Sequence, residues 1–136
     1  MVLIIAQITD LHIGAPATGN SPDNSLRLVQ VLDAIKTLQP QPDMVIATGD
    51  LTQDGRPEQY HKLKSLIANF PIPIHWMLGN HDDKAAFQMV FETSSADASS
   101  ISLIIETDTL RIILLDSHGA GRHAGCFDAS QASWLD

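Results

Sequence analysis

Short apolar runs recur along the chain, and stretches with helical periodicity separate most of them. A strand covered on both faces has little polar surface, so a short continuous apolar run is typical of a buried strand. Such runs predict strands at residues 2–8, 44–47 and 74–78, and a hairpin built from residues 101–106 and 110–115. Strands that alternate with helices predict parallel βαβ units joined by right-handed crossovers, so the predicted fold class is α/β.

Three helices are predicted between these strands, at residues 24–38, 57–70 and 84–91. In the first two, apolar residues recur at intervals of three and four positions, which gives each helix one buried stripe. The stripe of the first helix contains Leu28, Val31, Leu32, Ile35 and Leu38. The stripe of the second helix contains Tyr60, Leu63, Ile67 and Phe70. Residues 92–100 are small and polar and predict a mobile loop.

Composition excludes several classes of function. The chain has 136 residues, a hydrophobic content of 44% and a formal net charge of -8. Because an acidic surface repels phosphate backbones, we predict no nucleic acid polymer as a partner. We also predict no membrane contact, since no apolar run approaches the roughly 20 residues of a membrane span. The apolar start lacks a signal peptide's basic lead, and Cys126 stands alone, so a cytoplasmic location is predicted.

Four polar motifs follow predicted strands, at the edge of the sheet where binding sites form in α/β folds. The motifs are Asp10-Leu11-His12, Gly49-Asp50, Gly79-Asn80-His81-Asp82 and Asp116-Ser117-His118. Carboxylate, imidazole and amide groups that meet at one point suit a hard or borderline divalent metal ion. The motifs therefore predict a metal site, and the ligand types leave Mn, Fe, Zn and Co open.

Two motifs and part of a third suggest metal ligands. Asp10 and His12 are two positions apart, so in an extended or just-turning backbone they point the same way and can bind one cation. Asp50 has two carboxylate oxygens and can bridge two cations, while Asn80 offers an amide oxygen to the second cation. Two cations about 3.5–4 Å apart at such a site would hold a hydroxide positioned to attack a phosphoryl group in line.

Catalytic and substrate contacts are assigned to the later motifs. His81 is the candidate for protonating the leaving group, with Asp82 orienting its ring. His118 lies at the predicted rim of the site, where it is either a substrate contact or a solvated loop residue. His123 is interpreted in the same way, as a residue of a glycine-rich loop.

Longer stretches around the first three motifs resemble a known family. The segments ITDLHIG, ATGDLTQDGRPEQY and MLGNHDDKAAF are similar to the calcineurin-like metallophosphoesterases, especially the bacterial class III cyclic nucleotide and glycerophosphodiester phosphodiesterases. The resemblance implies the N-terminal part of a four-layer αββα sandwich, with mostly parallel βαβ units plus a β-hairpin. It also implies two divalent metal ions, held by Asp10, His12, Asp50 and Asn80. Asn80 and His81 are also candidate substrate contacts, with His81 assisting the leaving group or holding the phosphate.

The same resemblance implies a function, and it also shows that some metal ligands of the family are missing from this sequence. The function is metal-dependent hydrolysis of a small phosphodiester, either a cyclic nucleotide or a glycerophosphodiester, by a metal-bridging hydroxide. The missing ligands are three later histidines of the family, one after a strand and two in a Gly-His-x-His motif. This sequence does not contain these motifs. The alternative is therefore a non-catalytic domain that binds metal weakly or serves assembly.

The last residues of the sequence fit an interrupted fold. Residues 129–136 predict a helix without a terminating signal, and about two turns of helix do not stand alone in water. We therefore interpret residues 1–136 as a single domain that is truncated at its C-terminus. One sheet face would then be uncovered, which predicts self-association or a missing C-terminal half.

Overall fold

The computed structural model describes residues 2–19, 23–93, 101–119 and 123–136. The elements follow the predicted order of strands and helices. They are β1 (Ile5–Ile8), α1 (Asn24–Thr37), β2 (Met44–Thr48), α2 (Pro57–Ile67), β3 (Ile74–Met77), α3 (Lys84–Phe91), β4 (Leu103–Glu106), β5 (Arg111–Leu114) and α4 (Ala129–Leu135). Most of the predicted loop at residues 92–100 lies outside the described residues.

The strands form a parallel sheet and a separate hairpin. β1, β2 and β3 pair in that order, with Ile5 opposite Met44 and Val45 opposite Ile74. β4 and β5 form an antiparallel pair. Because the first three strands are parallel, their carboxyl ends meet at one edge of the sheet. The predicted α/β class, with parallel units plus a hairpin, is confirmed.

β2 lies at the centre of the parallel sheet and carries much of the core. Val45 and Ala47 are fully buried, and three helices contribute apolar side chains to the same cluster. These side chains are Leu28, Leu32 and Ile35 from α1, Tyr60 and Leu63 from α2, and Phe87 and Val90 from α3. A strand enclosed on both faces gives the loop that follows it a fixed starting point.

Predictions about the first strand and the first helix are wrong in part. Val2 is 81% exposed and β1 begins only at Ile5, so the first strand is shorter than predicted. Val31 and Leu38, both placed in the buried stripe of α1, are 42% and 48% exposed. The buried line of α1 runs at a spacing of four and then three residues, and Val31 lies beside it. Leu38 follows the last helical residue, so it has no place on that line.

α2 also ends earlier than predicted, at Ile67 instead of Phe70. The N–H group of Ala68 donates to the carbonyl of Ser65, and the N–H group of Phe70 donates to the carbonyl of Ile67. Bonds between residues three apart belong to a tighter turn than the α-helix. The chain therefore leaves the helix by a turn just before Pro71.

Apolar side chains remain exposed on the hairpin. Leu103, Ile104, Leu110 and Ile113 are 39–54% exposed. The hairpin strands are therefore less buried than their apolar runs predict, and self-association stays a prediction. Within the described part of the chain, no helix combines the length and the apolar character needed to span a bilayer.

Candidate metal centre

The loops after β1 and β2 run side by side. Backbone N–H groups of the first loop donate to carbonyls of the second at 2.9–3.1 Å, from Asp10, His12 and Ile13 to Gly49, Asp50 and Leu51 respectively. The pairing ends where the N–H group of Gln53 donates to the carbonyl of Ile13 at 3.0 Å. These bonds continue the parallel pairing past the ends of the strands and hold the two loops in register.

Four of the predicted site residues converge in space. One ligand atom from each of His12, Asp50 and His81 lies within 4.8 Å of the other two. The Nε2 atom of His12 is 3.8 Å from Oδ1 of Asp10 and 3.9 Å from Oδ2 of Asp50. The rings of His12 and His81 meet edge to face, with centroids 4.7 Å apart. The three strand-end loops therefore contribute to one cluster.

Hydrogen bonds fix both imidazole rings in one orientation. The Nδ1 atom of His12 lies 3.1 Å from Oε1 of Gln53, and the Nδ1 atom of His81 lies 2.8 Å from the carbonyl oxygen of Gln53. A carbonyl oxygen only accepts, so Nδ1 is the donor in both rings. In the neutral ring the Nε2 atom then keeps its lone pair, as a metal-binding histidine requires.

The donor set fits a divalent cation. The lone pair on Nε2 of His12 is close to carboxylate oxygens of Asp10 and Asp50. These groups repel one another unless a proton or a cation lies between them. Carboxylate oxygens and imidazole nitrogens are ligands that Mn, Fe, Zn and Co accept. Asp10, His12 and Asp50 can therefore hold one divalent metal ion.

Backbone strain is concentrated at the same three positions. Asp10, His12 and Asp50 have φ angles of 55°, 44° and 50°, in the left-handed region that residues with side chains rarely adopt. Each such residue costs on the order of 1 kcal/mol and persists only where the surroundings enforce it. Strain at three converging side chains supports a functional role for the cluster.

Two glycines allow the loops after β2 and β3 to touch. A Cβ atom on Gly49, whose φ angle is 111°, would lie 2.8 Å from the backbone nitrogen of Gly79. A Cβ atom on Gly79 would overlap the carboxylate of Asp50. The close approach lets the N–H group of His81 donate to Oδ1 of Asp50 at 3.1 Å. The position of the Asp50 carboxylate therefore depends on glycine at residue 79.

Gly79→Ala is expected to lower the free energy of unfolding by about 1–3 kcal/mol and to weaken Mn²⁺ binding. The added methyl group must displace the carboxylate of Asp50, which supplies one of the clustered ligand atoms. Chemical denaturation and calorimetric titration measure the two effects. Gly125→Ala is the matched control. A Cβ atom added there would come no closer than 3.2 Å to another atom, the carbonyl oxygen of Ser117. Equal Mn²⁺ affinity in both variants would contradict the assigned position of Asp50.

Asp82 is buried and holds the loops after β2 and β3 together. Its Oδ2 atom accepts from the N–H groups of Leu51 and Gly79, both at 3.0 Å. Its Oδ1 atom accepts from the N–H and hydroxyl groups of Thr52, both at 3.1 Å, and from the hydroxyl of Tyr60 at 3.0 Å. Five donors therefore converge on one carboxylate.

The prediction that Asp82 orients the ring of His81 is wrong. Both oxygens of Asp82 are occupied by backbone and hydroxyl donors, and the carbonyl of Gln53 takes the expected place beside the ring. A direct catalytic role for Asp82 stays a prediction. The sequence did not point to Gln53, because a glutamine three positions after Asp50 is no signal of a metal site.

The remaining predicted contacts line a neighbouring cavity of about 240 Å³. The Nδ2 atom of Asn80 is 3.1 Å from Nδ1 of His123, so the ring of His123 reaches a candidate metal ligand. His118 is half-buried, and its Nε2 atom donates to the carbonyl of Asp82 at 3.1 Å. The interpretation of His118 as a solvated loop residue is therefore wrong. Its contact with substrate and the metal contact of Asn80 stay predictions.

The aspartate of the fourth motif has structural contacts. Asp116 is buried and forms an ion pair with Lys84 at 2.6 Å. Its carboxylate also accepts from the N–H groups of Ile101 at 3.1 Å and His118 at 3.0 Å. These bonds attach the hairpin to α3 and fix the start of the segment that carries His118.

Known proteins resemble this chain along most of its length. The calcineurin-like phosphoesterase family profile matches residues 3–128. The probable cyclic nucleotide phosphodiesterase of Rhodococcus erythropolis is 33% identical, over 96% of this chain and 45% of the relative. The cAMP/cGMP dual specificity phosphodiesterase of Mycobacterium tuberculosis is 31% identical, over 97% and 43%. The probable glycerophosphodiester phosphodiesterase of Arcobacter nitrofigilis is 32% identical, over 98% and 50%.

The match includes every loop that contributes to the cluster at the sheet edge. It runs from before β1 to the residue before α4, and so contains Asp10, His12, Asp50 and His81. The chain spans about half the length of the curated relatives that it matches, at 43–50%. With its family profile, its parallel sheet and its strand-end motifs in agreement, the chain belongs to the calcineurin-like phosphoesterase family.

Proposed function

We propose that this site hydrolyses a small phosphodiester with the help of bound divalent metal ions. The observation that carries the proposal is the group of Asp10, His12 and Asp50, in which two carboxylate oxygens lie 3.8 and 3.9 Å from one imidazole nitrogen. The family supports hydrolysis of a phosphoester. The names of the relatives support a cyclic nucleotide or a glycerophosphodiester as the substrate class.

Each residue has a defined task in the proposed reaction. Bound metal ions supply Lewis acidity and a nucleophile at neutral pH. Asp10, His12 and Asp50 hold the first ion, while the N–H group of His81 fixes Oδ1 of Asp50. His81 in its protonated form donates from Nε2 to the leaving alkoxide, because its Nδ1 atom is held by the carbonyl of Gln53.

The second ion of the proposed dinuclear centre falls to Asp50 and Asn80. Asn80 donates through Nδ2 to His123, which leaves Oδ1 as its ligating atom. Two side chains satisfy only part of a tetrahedral or octahedral ion, so the second ion binds more weakly than the first in this proposal. Mn, Fe, Zn and Co suit these ligands. The cytoplasmic location that the sequence predicts stays a prediction.

A non-catalytic, metal-binding domain is the second candidate. It is favoured by the small number of close ligand atoms: within the described residues, only His12, Asp50 and His81 place one ligand atom each within 4.8 Å of one another. Catalytic sites of this chemistry need enough ligands to fix the geometry of each ion. Since the chain spans 43–50% of the length of its relatives, the activity of the whole protein is proposed rather than observed.

Hydrolysis of bis(p-nitrophenyl) phosphate, 3′,5′-cyclic AMP and a glycerophosphodiester tests the proposed function. The protein is expressed from its complete open reading frame and assayed with Mn²⁺. We expect metal-dependent turnover, reduced at least about 100-fold by Asp50→Asn. Asp33→Asn is the matched control, since Asp33 lies exposed on α1, away from the cluster, where it pairs with Lys36.

Turnover of the two natural substrate types separates the proposed classes, because the synthetic diester reports the chemistry alone. Saturable Mn²⁺ binding without turnover would favour the non-catalytic candidate. Turnover that is independent of metal, or unchanged in Asp50→Asn, would contradict the proposed role of the cluster.

A further inference from the structure

Gln53 touches both histidines of the cluster, one with its side chain and one with its backbone. The amide oxygen Oε1 lies 3.1 Å from Nδ1 of His12, and the carbonyl oxygen lies 2.8 Å from Nδ1 of His81. The two rings come from loops that follow different strands, β1 and β3, whereas Gln53 follows β2. One residue of the central loop therefore bridges the two flanking loops.

The backbone at Gln53 is fixed on both sides. Its N–H group donates to the carbonyl of Ile13 at 3.0 Å. The preceding residue, Thr52, is fully buried and donates to the carboxylate of Asp82 through both its N–H and hydroxyl groups. The carbonyl oxygen that meets His81 is consequently positioned by the fold and not by a mobile side chain.

We propose that Gln53 is a positioning residue that holds both imidazole rings through Nδ1, so that Nε2 of His12 is free to ligate metal and Nε2 of His81 is free to face the leaving group. Both of its oxygens only accept, so each ring carries its hydrogen on Nδ1 and keeps the Nε2 lone pair free. Partners of this kind typically change metal affinity about 10- to 100-fold. The inference rests on the proposed metal function, although the state of the rings is measurable without metal.

The two contacts differ in how they respond to substitution. Gln53→Met keeps a long unbranched side chain and removes the oxygen beside His12. The same change leaves the backbone carbonyl beside His81 in place. Gln53→Glu restores an accepting oxygen beside His12. Selective loss at one ring, with rescue by glutamate, separates positioning from a general loss of structure.

Nitrogen-15 NMR of the metal-free protein at about pH 8 tests the inference, because it reports which ring nitrogen carries the hydrogen. In the wild type we expect the hydrogen on Nδ1 of His12 and of His81. In Gln53→Met the hydrogen of His12 is expected to redistribute to Nε2, while His81 stays unchanged. In Gln53→Glu both rings are expected to match the wild type.

Calorimetric titration with Mn²⁺ supplies the second readout. We expect Gln53→Met to bind Mn²⁺ about 10- to 100-fold more weakly than wild type, and Gln53→Glu to bind within about threefold of wild type or more tightly. An unchanged His12 tautomer in Gln53→Met overturns the inference, and so does a changed tautomer with unchanged affinity. Absence of Mn²⁺ binding by the wild type overturns the proposed function instead, while the NMR result still decides the position of the rings.

Discussion

Asp82→Ala is expected to lower the free energy of unfolding by about 3–5 kcal/mol, among the largest effects of a single substitution. The carboxylate of Asp82 accepts from the N–H groups of Leu51, Thr52 and Gly79. Alanine leaves these donors without their partner, and a buried donor without an acceptor costs about 1–3 kcal/mol. Denaturant unfolding followed by circular dichroism measures the change.

Asp108→Ala is the control for this experiment, since Asp108 is exposed in the turn between β4 and β5. We expect it to change stability by less than about 0.5 kcal/mol. If Asp82→Ala were as mild as the control, the carboxylate would not be the link between the two loops.

Tyr60→Phe removes one of the donors to Asp82 and is expected to lower the free energy of unfolding by about 1–2 kcal/mol. The hydroxyl of Tyr60 donates to Asp82 and accepts from the N–H group of Asp83 at 2.9 Å. Burial, and then the charge of Asp82, raises the pKa of Tyr60. The folded chain therefore keeps this proton above pH 10, about where the unfolded chain loses it, so stability falls as the pH rises further. Tyr60→Phe is expected to reduce that fall.

Asp50→Asn is expected to abolish the stabilisation that Mn²⁺ gives to the wild type. At about 100 times its dissociation constant, one bound ion adds about 2.7 kcal/mol, or roughly 10 °C in Tm for a chain of this size. Asparagine keeps the oxygen that accepts from His81, and it tolerates the left-handed φ angle of 50°. It removes the negative charge that attracts the ion.

Without metal, Asp50→Asn is expected to be at least as stable as the wild type. Without the ion, the carboxylates of Asp10 and Asp50 lie near the same nitrogen of His12 and repel each other. Removing one charge at about pH 8 should leave Tm equal to or higher than that of the wild type. A general folding defect would instead lower Tm with and without Mn²⁺, and that result would contradict the explanation.

The strand-end motifs were predictable because their physical basis is local. A buried run followed by Gly49-Asp50 or Gly79-Asn80 ends a strand and turns the chain at the sheet edge. Parallel pairing then brings the ends of neighbouring strands together. The sequence therefore predicts that Asp10, His12 and Asp50 share one site.

The partners of the histidines were not predictable in this way. Asp82 follows His81 directly, so sequence order suggested that its carboxylate orients the ring. In the fold, N–H groups of the loop after β2 donate to that carboxylate. The carbonyl of Gln53 lies beside the ring instead. The pairing of His123 with Asn80 likewise joins residues 43 positions apart. Contacts of this kind depend on how loops pack, which the apolar pattern does not encode.

Calorimetric titration with Mn²⁺ at about pH 8 tests the central claim most directly, namely that Asp10, His12 and Asp50 hold a divalent metal ion. The wild type is predicted to bind at least one equivalent saturably. His12→Gln is predicted to bind at least about 100-fold more weakly, because it removes the nitrogen that the two carboxylates surround. A wild type that takes up no Mn²⁺, or a His12→Gln variant with the same isotherm, would contradict the account.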